Sequence, residues 1–102
     1  MIFDGDLGVG EEDIKISRGN DKTIIEIKLT SNPRCKHGYE KQLPRYAETE
    51  KTDNMIYCLI DLGHKAVVDQ INQLLEAGKE RGKKVPELVI INAKPQKSAS
   101  TL

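Results

Sequence analysis

Tryptophan is absent from this 102-residue sequence, which holds one phenylalanine and three tyrosines. A core built from it must be mainly aliphatic. Net charge is absent too: Lys plus Arg and Asp plus Glu number 16 each. The strongly basic balance that would point by itself to nucleic acid is therefore lacking. The two cysteines, Cys35 and Cys58, imply no disulfide framework and suit a reducing, cytoplasmic compartment. Cys58 lies within Met55-Ile56-Tyr57-Cys58-Leu59-Ile60 and reads as a small core residue. No apolar run approaches the ~20 residues of a membrane span. Met1-Ile2-Phe3 leads straight into acid rather than into a signal-peptide core. No membrane partner is expected.

What is present fits one soluble domain over residues 1–94, followed by a flexible polar tail over 95–102. Charge is unevenly spread. Asp4, Asp6, Glu11, Glu12 and Asp13 precede any Lys or Arg, whereas Arg34, Lys36, Lys41 and Arg45 cluster against Glu40 alone. That division fits a metal site beside a phosphate-binding surface. On charge alone, two solvated loops account for it better.

Hydrophobic periodicity predicts the elements. Glu12–Ser17 alternates Ile14 and Ile16 with polar residues, and Lys22–Thr30 carries Thr23, Ile24, Ile25, Ile27 and Leu29. With the turn formers Arg18-Gly19-Asn20-Asp21 between them, they predict an antiparallel hairpin with a connection of about four or five residues. Tyr39, Leu43, Tyr46 and Ala47 predict a helix over 39–49 that starts near Gln42 or bends at Pro44. Met55–Leu62 reads as a strand covered on both faces. Lys65–Arg81 reads as a helix with Gly82 at its stop, and Leu88–Ile91 as another buried strand. The fold class is then α/β, with a mixed sheet: antiparallel hairpin, helix, strand, helix, strand. The last three elements form a βαβ unit.

The chemistry centres on the second strand. Glu26 and Lys28 are two residues apart and share a face, while Ile25, Ile27 and Leu29 occupy the other. Charges in so apolar a strand are costly unless paired or bound to metal. Asp13 interrupts the first strand in the same way, and a suitable register brings it beside Glu26. Two adjacent carboxylates repel, and a hard divalent cation, Mg²⁺ or Mn²⁺, relieves that repulsion. Such a centre polarises phosphate and activates water, with Lys28 supplying positive charge to the transition state.

Asp13, twelve intervening residues and then Glu26-Ile27-Lys28 on a hydrophobic strand resemble the D…(D/E)-x-K signature of the PD-(D/E)XK nucleases. Gln42-Leu43-Pro44-Arg45-Tyr46 resembles the Q-x-x-x-Y motif of the RecB-like members. The resemblance implies a restriction-endonuclease-like core and metal-dependent hydrolysis of DNA. It makes Asp13 and Glu26 the metal ligands, Lys28 the catalytic lysine, and Gln42 and Tyr46 substrate-positioning residues. Arg34, Lys36, Lys41 and Arg45 become the candidate DNA-phosphate contacts. Glu12 stands where the signature has proline, and the core helix that precedes the hairpin in that family has no room before Asp4. Glu11 or Glu12 would then substitute for its acid, a homodimer or larger polypeptide would supply the helix, or the site is incomplete.

Other readings stand beside this one. Glu26 and Lys28 fit a solvated sheet face paired with Lys15, and Tyr46 fits a core aromatic. The same fold without catalysis would serve protein assembly or nucleic-acid binding within a larger protein. An α/β binding domain unrelated to nucleases would place Asp13 far from Glu26. Zinc at Cys35, His37, Cys58 and His64 is disfavoured by spacing. Gly5, Gly8 and Gly10 lack the strand-to-helix context of a phosphate loop.

Overall fold

The computed structural model describes residues 2–3, 12–18 and 21–95, with side chains over 21–95. Gly5, Gly8, Gly10, Glu11 and residues 96–102 of the expected tail lie outside the described residues. Five strands, β1 (Ile2–Phe3), β2 (Glu12–Arg18), β3 (Asp21–Leu29), β4 (Met55–Asp61) and β5 (Glu87–Asn92), form one sheet in the order β1-β2-β3-β4-β5. β1, which periodicity did not predict, pairs antiparallel with β2, and β2 pairs antiparallel with β3. The hairpin is tighter than expected: Arg18 pairs with Asp21, so only positions 19 and 20 separate the strands.

β3, β4 and β5 run parallel. The helical run between β3 and β4 therefore makes a second βαβ unit in addition to the expected β4-helix-β5 one. That run comprises α1 (Cys35–His37), a π-helical turn (Gly38–Gln42) and α2 (Leu43–Thr49). Proline explains the wide turn. Pro44, in the first turn of α2, has no N–H to give the carbonyl of Glu40, and its ring crowds that position. The Leu43 N–H reaches back to the Gly38 carbonyl instead. The expected start or bend around Gln42–Pro44 takes this form, inside a helical run that begins earlier, at Cys35.

The longest helix, α3 (Lys65–Glu80), turns Ile71 and Leu75 into the core, with Val67, Val68 and Leu74 packed around them. It ends at Gly82, whose φ of +69° suits glycine. Lys83 donates its N–H to the Gly78 carbonyl at 2.9 Å. Among the described residues no helix is long and apolar enough to cross a membrane.

The core lies on one side of the sheet. Ile24, Tyr57 and Leu59 meet Tyr39, Leu43, Ala47, Ile71 and Leu75 there. The expectation that β4 and β5 are covered on both faces is corrected. Leu29, Val89 and Ile91 are 45%, 38% and 47% exposed, and on the edge strand β5 even Ile90, the partner of Leu59 on the helical side, is 40% exposed. Ile25, Ile27, Ile56, Cys58 and Ile60 on the same face are half-buried. Cys58 is thus not a core residue. Both crossovers step the same way across the sheet, and connections of one hand then put both helical layers on one face.

Candidate active site

Alternation along β3 buries Ile24, Glu26, Lys28 and Thr30 against the helical layer. The solvated-face reading of Glu26 and Lys28 is therefore incorrect: they are 0% and 1% exposed. Lys28 Nζ lies 3.2 Å from Glu26 Oε1, an ion pair whose side chains are both fully covered. Two desolvated charges hold together at such a place because each offsets the desolvation cost of the other. In the β2–β3 ladder Asp13 is the Cα partner of Glu26. The register that would separate them is not the one adopted. Glu12 is the Cα partner of Ile27 in the same ladder.

Gly38 in the π-helical turn is what lets the helical run approach the ion pair. A Cβ built there would lie 2.7 Å from Lys28 Cε, 3.2 Å from Gln42 Oε1 and 3.6 Å from Glu26 Oε1. Three side chains thus converge on one point above a glycine backbone. Sequence reasoning placed Glu26, Lys28 and Gln42 in the site but missed Gly38. Its signal is a glycine opening a helical pattern, which marks close approach.

The pair is braced from below. Tyr57, the register partner of Glu26 on β4, donates its hydroxyl to the Cys35 carbonyl at 2.8 Å. Its ring meets Tyr39 edge-on, with centroids 5.4 Å apart. The Cys35 thiol donates to the Leu29 carbonyl at 3.1 Å. Burial pushes the Cys35 thiol and the Tyr57 hydroxyl above their ordinary values, so both stay protonated at neutral pH. Beyond Lys28 the same face continues to Thr30, whose Oγ1 accepts the Leu62 N–H and lies 2.9 Å from His64 Nδ1. No sequence pattern announced this link between β3 and the start of α3.

Outside the buried pair runs an open groove of about 720 Å³, lined by Arg34, His37, Lys41, Gln42, Arg45 and Tyr46 together with Pro44 and two acids, Glu40 and Glu48. Three of the four expected phosphate contacts are brought together here. Lys36 is not among the lining residues; it faces Glu40 at 3.6 Å across one helical turn. Tyr46, 37% exposed, belongs to the groove and not to the core stripe of Tyr39, Leu43 and Ala47. Gln42 joins the two parts of the site, lining the groove while its Oε1 lies over Gly38. His37, which the sequence offers only to the disfavoured zinc reading, lines the groove.

A family model described as "Domain of unknown function (DUF8371)" matches residues 2–64. The chain belongs to this family. No curated protein and no solved structure matches it. The DUF8371 match takes in every candidate residue from Asp13 to Tyr46 and ends before α3. Among the described side chains no three His, Cys, Asp or Glu stand close enough together to hold a metal ion. Glu26 is the expected ligand whose side chain is described.

Proposed function

We propose that this DUF8371 chain is a metal-dependent nuclease domain of the PD-(D/E)XK type, acting on DNA. The observation that carries the reading is the register pairing Asp13 with Glu26, because directly opposed residues of an antiparallel ladder share a face. The donor chemistry fits a hard cation: two carboxylate positions share one face, and Glu26 already lies 3.2 Å from an ammonium. Asp13 and Glu26 would hold Mg²⁺ or Mn²⁺, which when bound polarises a phosphate oxygen and acidifies a water.

The chain's own residues do the rest. Lys28, fixed by Glu26, brings positive charge to the transition state of phosphodiester hydrolysis. Gln42 and Tyr46 position the strand, while Arg34, Lys41 and Arg45 neutralise its phosphates along the groove. The overall reaction adds water across one P–O bond. The hairpin-helix-strand-helix-strand order supports the finer, restriction-endonuclease-like assignment. The uncovered apolar face of the sheet offers packing room for a core helix preceding the hairpin.

One observation favours a second reading, a nuclease-fold module without catalysis: Glu26 and Lys28 are closed from solvent. Calorimetry with Mn²⁺ separates the two. The nuclease reading expects a single binding event that Asp13→Asn and Glu26→Gln both abolish while circular dichroism shows them folded. Heats that do not depend on Asp13 would place the chain with the non-catalytic modules.

A further inference from the structure

The turn after α3 carries a basic cluster that the nuclease centre does not use. Arg81, Lys83 and Lys84 are exposed and line a second groove of about 570 Å³, together with Lys41. Glu40 is the acid in that lining, and Glu40, Lys41 and Pro44 belong to both grooves. Elsewhere on the surface five lysines face acids, Lys22 with Glu50, Lys36 with Glu40, Lys65 with Asp69, Lys79 with Glu76 and Lys94 with Asp61, while Lys41 and Lys51, like the turn, make no such pair among the described residues. Arg81, Lys83 and Lys84 make no ion pair among the described residues. The turn is also held in shape. Gly82 adopts φ +69°, and its N–H bonds the Lys79 carbonyl at 3.0 Å. The Val85 side chain packs so close to Gly78 that a Cβ there would come within 2.7 Å of it. Pro86 is buried behind it.

We propose that the Arg81–Lys84 turn is a second nucleic-acid backbone contact, continuous with the first groove through Lys41. A bound DNA would then run along the outside of the helical layer from Arg34 to Lys84. The inference rests on the nuclease reading for the identity of its polyanion. Exposed cations on a turn whose backbone is already held attract phosphates without the cost of ordering a loop. Continuity at Lys41, beside Gln42 and its contact with Gly38, favours a nucleic-acid strand over an acidic protein.

The test is fluorescence anisotropy of labelled duplex DNA with the full chain in EDTA, so that no cleavage occurs, across a salt series. Three chains are compared: the parent, Arg81→Gln with Lys83→Gln and Lys84→Gln, and Arg34→Gln with Lys41→Gln and Arg45→Gln. Each lost phosphate contact lowers the slope of log K against log salt by about 0.7 to 0.9. The turn variant is therefore expected to lose about 2 to 3 from the slope, with its thermal midpoint unchanged. A parental slope in the turn variant, with a reduced slope in the groove variant, would overturn this proposal and leave the nuclease reading standing. Parental binding in both variants would remove both. Loss of polyglutamate binding by the turn variant, with DNA binding intact, would make the turn an acidic-protein surface and refute the proposal.

Discussion

Gly38→Ala opposes two effects of known sign at the centre of the site. Gly38 sits at φ −59° and ψ −43°, ordinary helical geometry. On backbone grounds alanine should therefore stabilise by about 0.5 to 1 kcal/mol. Its Cβ, however, would stand 2.7 Å from Lys28 Cε, against an optimum of about 3.5 to 4.0 Å for two carbons. Lys28 is 1% exposed and tied to Glu26, so its chain has little room to give. Overpacking of this kind costs about 1 to 3 kcal/mol. If the ammonium is pushed off Glu26, the uncompensated charges add about 3 to 5 kcal/mol. Overlap outweighs propensity over most of this range: a net loss of up to about 2.5 kcal/mol with the ion pair kept, lowering the thermal midpoint by up to roughly 20 °C. Denaturant unfolding at constant m-value measures it. A variant more stable than the parent by about 1 kcal/mol, the bare propensity gain, would mean that Lys28 does not lie against Gly38.

Other perturbations probe the frame around the site. Ile71→Ala, at a position with 0% exposure, should cost about 2 to 5 kcal/mol. Ile91→Ala on the uncovered face should cost less than about 1 kcal/mol; equal losses in denaturant titrations would contradict a one-sided core. Tyr57→Phe removes the hydroxyl that serves the Cys35 carbonyl and should cost about 1 to 3 kcal/mol. An unchanged unfolding midpoint would show that the carbonyl has another donor. The Asp61 carboxyl is held below its usual range, first by the Gly63 N–H and then by the Lys94 ammonium and the His64 N–H. Its folded value is the lower one, so its contribution is complete above the unfolded aspartate value of about 3.9 and fades as pH falls towards the folded value. Asp61→Asn should therefore flatten the acid limb of the stability profile; parallel limbs would refute this.

Period-2 patterning made the hairpin legible, and Glu26 and Lys28 share a face in any register because they lie two apart; that this charged face, and not the apolar one of Ile25, Ile27 and Leu29, is the buried one was not legible. The stripe of α3 was equally plain, ending one residue before the expected Arg81. Layer coverage was not legible. A continuous run such as Met55–Ile60 has the same composition whether one face is covered or two, and the direction of successive crossovers decides which. Within the site, the E-x-K spacing announced the charged pair but not its closure from solvent, which depends on Gly38 meeting Lys28 from another element. Tyr46 separated from Tyr39 and Leu43 because the apolar stripe runs through positions 39, 43 and 47 at helical spacing. The Arg81–Lys84 turn read as the end of a helix, since only tertiary proximity aligns it with Lys41.

Cleavage of labelled single- and double-stranded DNA with Mg²⁺ or Mn²⁺ tests the central claim most directly, with the parent chain set beside Asp13→Asn and Lys28→Ala. The account predicts metal-dependent cleavage by the parent and none by either variant, each verified as folded by circular dichroism. A folded parent that leaves DNA intact with either metal, or a folded Asp13→Asn or Lys28→Ala chain that still cleaves, would contradict it.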